Sequence, residues 1–218
     1  GKSSGWSSEL DLTASLDGSN GFAFCGDESV CAGSFVSSGD VNGDGYADVI
    51  FGGYQGSQVV FGKGSGWNAV LDASSLDGSN GFIITENSPF ISYFAVSSAD
   101  INGDGYTDVI LGSNTEIYVM FGKTTGSERS IERSSMGGSN GLIIRKPWDN
   151  DTGEEETLQF TAIASADVNG DGYTDVVLGN PKSSGDKGRT YLLHGPLAVS
   201  SPSSSSSSSS YSSSSSSS

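Results

Sequence analysis

The stretch DVNGDGYAD, residues 40–48, places three aspartates, one asparagine and two glycines in nine positions. It returns as DINGDGYTD at 100–108 and DVNGDGYTD at 167–175. Carboxylates held this close repel one another, and the cluster is costly unless a cation sits among them. Calcium suits such a loop, because it takes roughly six to eight oxygen ligands in flexible geometry. Asp40, Asn42 and Asp44 stand at loop positions 1, 3 and 5, the carbonyl of Tyr46 at 7 and Asp48 at 9, with Gly45 at the turn. The second loop offers Asp100, Asn102, Asp104, Tyr106 and Asp108, and the third Asp167, Asn169, Asp171, Tyr173 and Asp175. Three calcium sites are expected.

A helix–loop–helix calcium site requires a glutamate at position 12. Here position 12 is Phe51, Leu111 or Leu178, inside a hydrophobic run, so that motif is excluded. Magnesium fits less well, because it keeps its waters and demands octahedral geometry. A plain Asn-Gly or Asp-Gly hairpin turn would need no aspartate at positions 1 and 9.

Around the loops the chain repeats itself. LDGSNGF at 16 returns as LDGSNGF at 76 and MGGSNGL at 136, while the loops begin at 40, 100 and 167. The third unit therefore carries seven extra residues, within RKPWDNDTGEEETLQF at 145–160. Each loop is followed by a short run rich in Val, Ile, Phe and Tyr that ends in glycine, and then by a second such run. These runs are strand-like, since they are short, β-branched and bounded by Gly, Ser and Asn. In the first unit strands are expected near 34–39, 47–52, 57–62 and 82–85. The expected fold is all-β: three four-stranded blades over residues 1–199, in units of about 1–61, 62–121 and 122–196, then a serine tail at 200–218.

The formal net charge of −16 argues against nucleic acid or an anionic membrane surface as partner. Nine of the 26 acidic residues lie in the three loops, so bound calcium would cancel much of the excess. No apolar run reaches membrane-spanning length. The opening GKSSGWSSEL is not a signal peptide and points to a mature or trimmed form. Cys25 and Cys31 are expected to close a small loop as a disulfide in an oxidising compartment, with two buried thiols as the alternative. Asn150 heads the single N-glycosylation sequon. From Ser200 onward the tail is either a disordered linker or an O-glycosylated stalk, with Ser203, Ser204 and Ser205 as candidate sugar sites.

The recurring elements resemble FG-GAP repeats. In the third unit DVNGDGYTDVVLGNPKSSGDKGRTYLLHG resembles the family's calcium loop, its GxP segment at Pro181 and its closing strand. His194 stands where Phe61 and Phe121 keep the FG pair. The resemblance implies β-propeller blades with calcium loops on one face, and roles in adhesion and ligand binding without catalysis. Three units are fewer than the four or more blades a propeller needs.

The repeat boundaries suggest how that deficit is met. Residues 21–24, GFAF, match GFII at 81–84, the outer strand of a preceding blade, yet no such blade precedes them. The third unit ends at YLLHG with no outer strand after it. Three outcomes stay open: completion between identical chains, a piece of a longer propeller, or a compact three-unit fold.

The single histidine, His194, reads as a packed or interfacial residue, and nothing in the sequence pairs a nucleophile with a base. The expected function is a non-catalytic, calcium-binding, extracellular or cell-surface structural protein, a fibre subunit assembled head-to-tail by strand complementation. The alternative is an adhesive or lectin-like module, with carbohydrate or a surface protein as ligand and Trp148 of the insertion as a contact.

Overall fold

The structure is a computed structural model and describes residues 11–12, 16–26, 33–53, 56–85, 93–113, 116–123, 128–145, 160–181 and 188–197. Strand β1 (Ala23–Cys25) precedes the first aspartate loop, β2 (Phe35–Gly39) enters it, β3 (Asp48–Gly53) leaves it and β4 (Gly56–Val60) returns alongside. Next come β5 (Val70–Asp72) and β6 (Gly81–Thr85). Around the second loop β7 (Tyr93–Ala99), β8 (Asp108–Ser113) and β9 (Glu116–Met120) repeat the pattern, followed by β10 (Ser130–Glu132) and β11 (Gly141–Arg145). The third loop lies between β12 (Ala162–Ala166) and β13 (Asp175–Asn180), with β14 (Arg189–Leu193) after it. Among the described residues there is no α-helix, only short 3-10 turns.

The strands form one sheet per unit. The first runs β2-β3-β4-β6 and the second β7-β8-β9-β11, each antiparallel, with β10 added in parallel to the outer edge of β6. The third is β12-β13-β14, with no fourth strand among the described residues. The outer strand of each complete sheet thus belongs, in sequence, to the unit that follows it. Among the described residues strand β1 pairs only with β5, in parallel, Ala23 opposite Val70. That register copies Ile83 opposite Ser130, since both partners shift by 60 residues (83 − 23 and 130 − 70).

Observed strand ends differ from expectation by a residue or two, most clearly in β4, which stops at Val60. The amide of Gly62 turns to the Asp48 carboxylate, and that of Phe61 to the Asn80 carbonyl, so the ladder cannot continue. The LDGSNGF segments are tight side-chain-bonded turns. Asp77 Oδ1 accepts the Ser79 amide at 2.8 Å and the Ser79 hydroxyl at 2.7 Å, while Asn80 Oδ1 accepts the Asp77 amide at 3.0 Å. Asp17, Ser19 and Asn20 make the same set. In the third unit Gly137 replaces the aspartate, and Gly138–Asn140 form a 3-10 turn instead.

Sheets stack face to face. Ile50, Val59, Phe82 and Ile84 of the first meet Val109, Leu111, Tyr118 and Met120 of the second in one buried cluster. Ile110, Ile117 and Val119, on the opposite face of the second sheet, meet Val176, Leu178 and Phe160. Burying each of these large apolar side chains stabilises the stack by about 1.5–3 kcal/mol. Hydroxyl contacts join the inner strands: Ser37 and Ser98 hydroxyls lie 2.8 Å apart, and Ser97 and Ser165 hydroxyls 3.1 Å apart.

Glycines act as sockets in this stacking. A methyl group on Gly52 would overlap Val96 Cγ2 of the next sheet, and one on Gly112 would stand 2.9 Å from Ile163 Cδ1. At the loops, Tyr106 covers Gly43, and Tyr173 covers Gly103. Each unit thus projects an aliphatic and an aromatic knob into the unit before it.

At the outer edge of the second sheet, Glu116 accepts from the Tyr118 hydroxyl at 2.6 Å and from Arg145 Nε at 2.9 Å, with Arg133 Nη1 3.7 Å away. Burial pushes this carboxyl up, but the Tyr118 and Arg145 hydrogen bonds and the two guanidinium charges outweigh it and hold it below the ordinary glutamate range. A lowered folded-state pKa contributes stability above the unfolded value, and that contribution is lost as pH falls through the folded one.

Two predictions follow from the packing. Gly52→Ala should lose about 1–3 kcal/mol in denaturant unfolding through overlap with Val96, whereas Gly179→Ala, whose new methyl would meet only Ala162 at 3.5 Å, should stay within about 0.5 kcal/mol. Glu116→Gln should flatten the fall in melting temperature on acidification below the ordinary glutamate pKa of about 4.3, as read by a pH series of thermal unfolding curves.

Candidate metal centre

The three loops share one local geometry. In the first, Asp40 Oδ1 accepts the amide of Asp44 at 3.0 Å and Oδ2 that of Gly45 at 2.9 Å. Asn42 Oδ1 also accepts the Asp44 amide, at 2.9 Å, and Asp44 Oδ1 accepts the Tyr46 amide at 2.8 Å. In the second loop Asp100 gathers the amides of Gly103, Asp104 and Gly105, and in the third Asp167 gathers those of Gly170, Asp171 and Gly172. The turn requires left-handed backbone at two glycines, Gly43 at φ 72° and Gly45 at φ 88°, a conformation other residues adopt only under strain. The side chains at positions 1, 3 and 5 therefore lie over one short concave turn.

Position 9 behaves differently. Asp48, Asp108 and Asp175 are fully buried at the start of β3, β8 and β13. Asp48 Oδ2 accepts the Val41 amide and Oδ1 the Gly62 amide, both at 2.8 Å. Asp108 bridges Ile101 and Gly122 in the same way, and Asp175 bridges Val168 and Gly195. Each carboxylate thus pins the start of its loop to the end of the third strand of its sheet. Hydrogen bonds to a charged acceptor are worth about 1.5–3 kcal/mol each.

Burial raises the pKa of Asp48, and it pushes Asp108 up to about 6 despite the amides of Gly122 and Ile101, with Asp104 and Asp100 adding repulsion. Asp175 differs. Burial raises it, but the amides of Gly195 and Val168 together with His194 outweigh burial and leave it lowered. His194 Nδ1 lies 3.3 Å from Asp175 Oδ1 and 3.1 Å from Asn169 Nδ2. A neutral ring accepts there from Asn169; a protonated one donates to Asp175. His194 is 56% exposed and sits beside the third loop, so of the two readings, packed or interfacial, it is not packed within the described residues. The signal for this was its place in the sequence, next to the glycine whose amide every position 9 aspartate binds.

Among the described residues, no three His, Cys, Asp or Glu side chains are gathered closely enough to hold a metal. The loop carboxylates turn their oxygens to backbone amides instead. Asp100 Oδ1 and Asp167 Oδ1 each accept two amides, while Oδ2 of each accepts one and keeps a second lone pair; the donor set is oxygen throughout, with two or more carboxylates per turn. The chemistry of this donor set fits calcium. Cys25 ends β1 as an exposed free cysteine, and its expected partner Cys31 lies outside the described residues. Trp148, Asn150, Ser203, Ser204 and Ser205 also lie outside them.

The family models agree with this layout. An FG-GAP-like repeat matches residues 40–111 and an FG-GAP repeat matches 160–193. Human integrin alpha-11 is 35% identical over 109 residues, which cover 48% of this chain and 9% of that protein. The chain therefore spans under a tenth of that relative. With three like loops on three stacked sheets, and family matches that between them take in all three loops, the chain carries FG-GAP repeats.

Proposed function

We propose that this chain is a non-catalytic, calcium-stapled module of an extracellular surface, built to serve as a structural subunit. The observation that carries the reading is the triplicate oxygen-only loop, anchored in each sheet by a buried aspartate. Asp40, Asn42 and Asp44, with the Tyr46 carbonyl and the outer lone pairs of Asp48, would hold the ion in the first loop. The equivalent residues of the second and third loops would hold one each. Bound calcium supplies the positive charge that these crowded carboxylates lack. Affinities of about 10⁻⁴ to 10⁻³ M, usual for extracellular calcium modules, would keep the sites filled outside cells. Similarity to an integrin alpha chain supports the same extracellular setting.

The sheets add a second element to this role. Strand β14 ends the third sheet with one edge unpaired among the described strands, and β1 lacks the antiparallel neighbour that β6 and β11 possess. Open edges of this kind accept a further strand from another chain. A fibre of copies joined head-to-tail by strand complementation fits both features.

Equilibrium dialysis against millimolar calcium followed by elemental analysis tests the metal reading. One ion per loop is expected, and Asp100→Ala should remove one. Chelator should lower the melting temperature, because ligand at about one- to tenfold over Kd contributes about 0.4–1.4 kcal/mol per site. Loops that stay empty, with a melting temperature indifferent to calcium, would sink the proposal.

A further inference from the structure

The two ends of the stack carry the two halves of the interface that joins its units. Inside the stack, Val41 and Ile101 are 3% and 0% exposed, whereas Val168, at the same position of the third unit, is 55% exposed. Val59 and Val119 are both 0% exposed, but the equivalent Leu192 is 42% exposed. At the opposite end, Val36 is 63% exposed, although its equivalents Val96 and Ile163 seat against Gly52 and Gly112. The matching glycine of the third unit, Gly179, would meet only its own neighbour Ala162. Gly170 faces open space, while Gly43 and Gly103 are covered by Tyr106 and Tyr173. The first unit thus presents unused knobs, Val36 and Tyr46, and the third presents empty sockets, Gly179 and Gly170.

The sheet edges match as well. Strand β1 is held by β5 in the register that β6 keeps with β10, so among the described residues it stands as an outer strand without a sheet behind it. Within the chain, Met120 pairs with Gly141 and Glu116 with Arg145. Val109 pairs with Met120 as Val176 pairs with Leu193, which makes Leu193 the counterpart of Met120. Transferring that register places Leu193 opposite Gly21 and Arg189 opposite Cys25.

We infer that a second copy of this chain docks its first unit on the third unit of the copy before it, resting on the structural-subunit reading above. Val36 enters the space over Gly179, Tyr46 covers Gly170, and β1 adds antiparallel to β14. Both surfaces are preformed, so docking is rigid and needs no strand exchange out of the stack. The occupant is a copy of the chain because the vacant faces are the complementary halves of a contact made twice within it. One internal contact changes: Ala164 stands where Ser37 and Ser97 offer hydroxyls, so that bond is missing at the junction. Such a contact is heterologous, and it closes into a ring or extends as a filament according to the rotation per copy.

Analytical ultracentrifugation of the full chain in calcium, over a concentration series, tests this with Val36→Asp and Leu192→Asp. Wild type should shift to larger species as concentration rises. Each variant alone should remain monomeric, because every junction needs both faces. An equimolar mixture should form dimers and nothing larger, since one variant keeps a sound back and the other a sound front. A monomeric wild type, a variant that still assembles alone, or a mixture that stays monomeric would each overturn the inference. Thermal unfolding of each variant confirms its fold; if either is destabilised, Val36→Ser or Leu192→Ser replaces it. Calcium uptake measured on the same samples separates the two readings: lost assembly with intact uptake rejects the docking alone, and lost uptake with intact assembly rejects the calcium sites alone.

Discussion

A carboxylate buried at the end of each loop holds this architecture together. Asp48, Asp108 and Asp175 each span two backbone amides, one at the start of the loop and one just past the third strand of the sheet. Without that bridge, the loop start and the end of the third strand would leave buried donors unpaired, at about 1–3 kcal/mol each. The arrangement also sets a problem, because it places a charge in a dry site beside further aspartates, and burial then drives Asp108 toward protonation. A cation over the loop would answer that repulsion, and the fold leaves the loop on its surface where one can arrive.

From this anchor the geometry of the stack follows. The loop sits at one edge of its sheet, and its tyrosine reaches back to a glycine in the loop before it. An aliphatic residue on the first strand does the same in the middle of the sheet, Val96 over Gly52 and Ile163 over Gly112. Glycine is required at these places for room rather than for conformation, since neither Gly52 nor Gly112 has a left-handed φ. Because every unit uses the same knobs and sockets, a stack of any length leaves one set of each at its ends.

Much of the fold was legible in the chain. Loop spacing and the recurring LDGSNG segments marked the repeat, and short β-branched runs bounded by Gly, Ser and Asn marked the all-β class. The offset between repeats also suggested a third sheet without an outer strand, and among the described residues β14 has no such neighbour. Other features were not. Position 9 reads in the sequence as one more ligand of the loop, yet its first role is to accept the Gly62 amide, 14 residues on in the chain and adjacent only after β3 and β4 pair. His194 shows the same limit: its place beside Asp175 depends on the return of β14 along β13.

The sequence by itself determined the repeat, the strand class and the oxygen chemistry of the loops, because each rests on the identity and local spacing of neighbouring residues. Only the tertiary structure decided which faces are spent and which remain open. Val41 and Val168 occupy the same position of the same motif, and one is buried while the other is bare solely because a further sheet covers the first. That difference is made by the stacking of units, which no local pattern encodes.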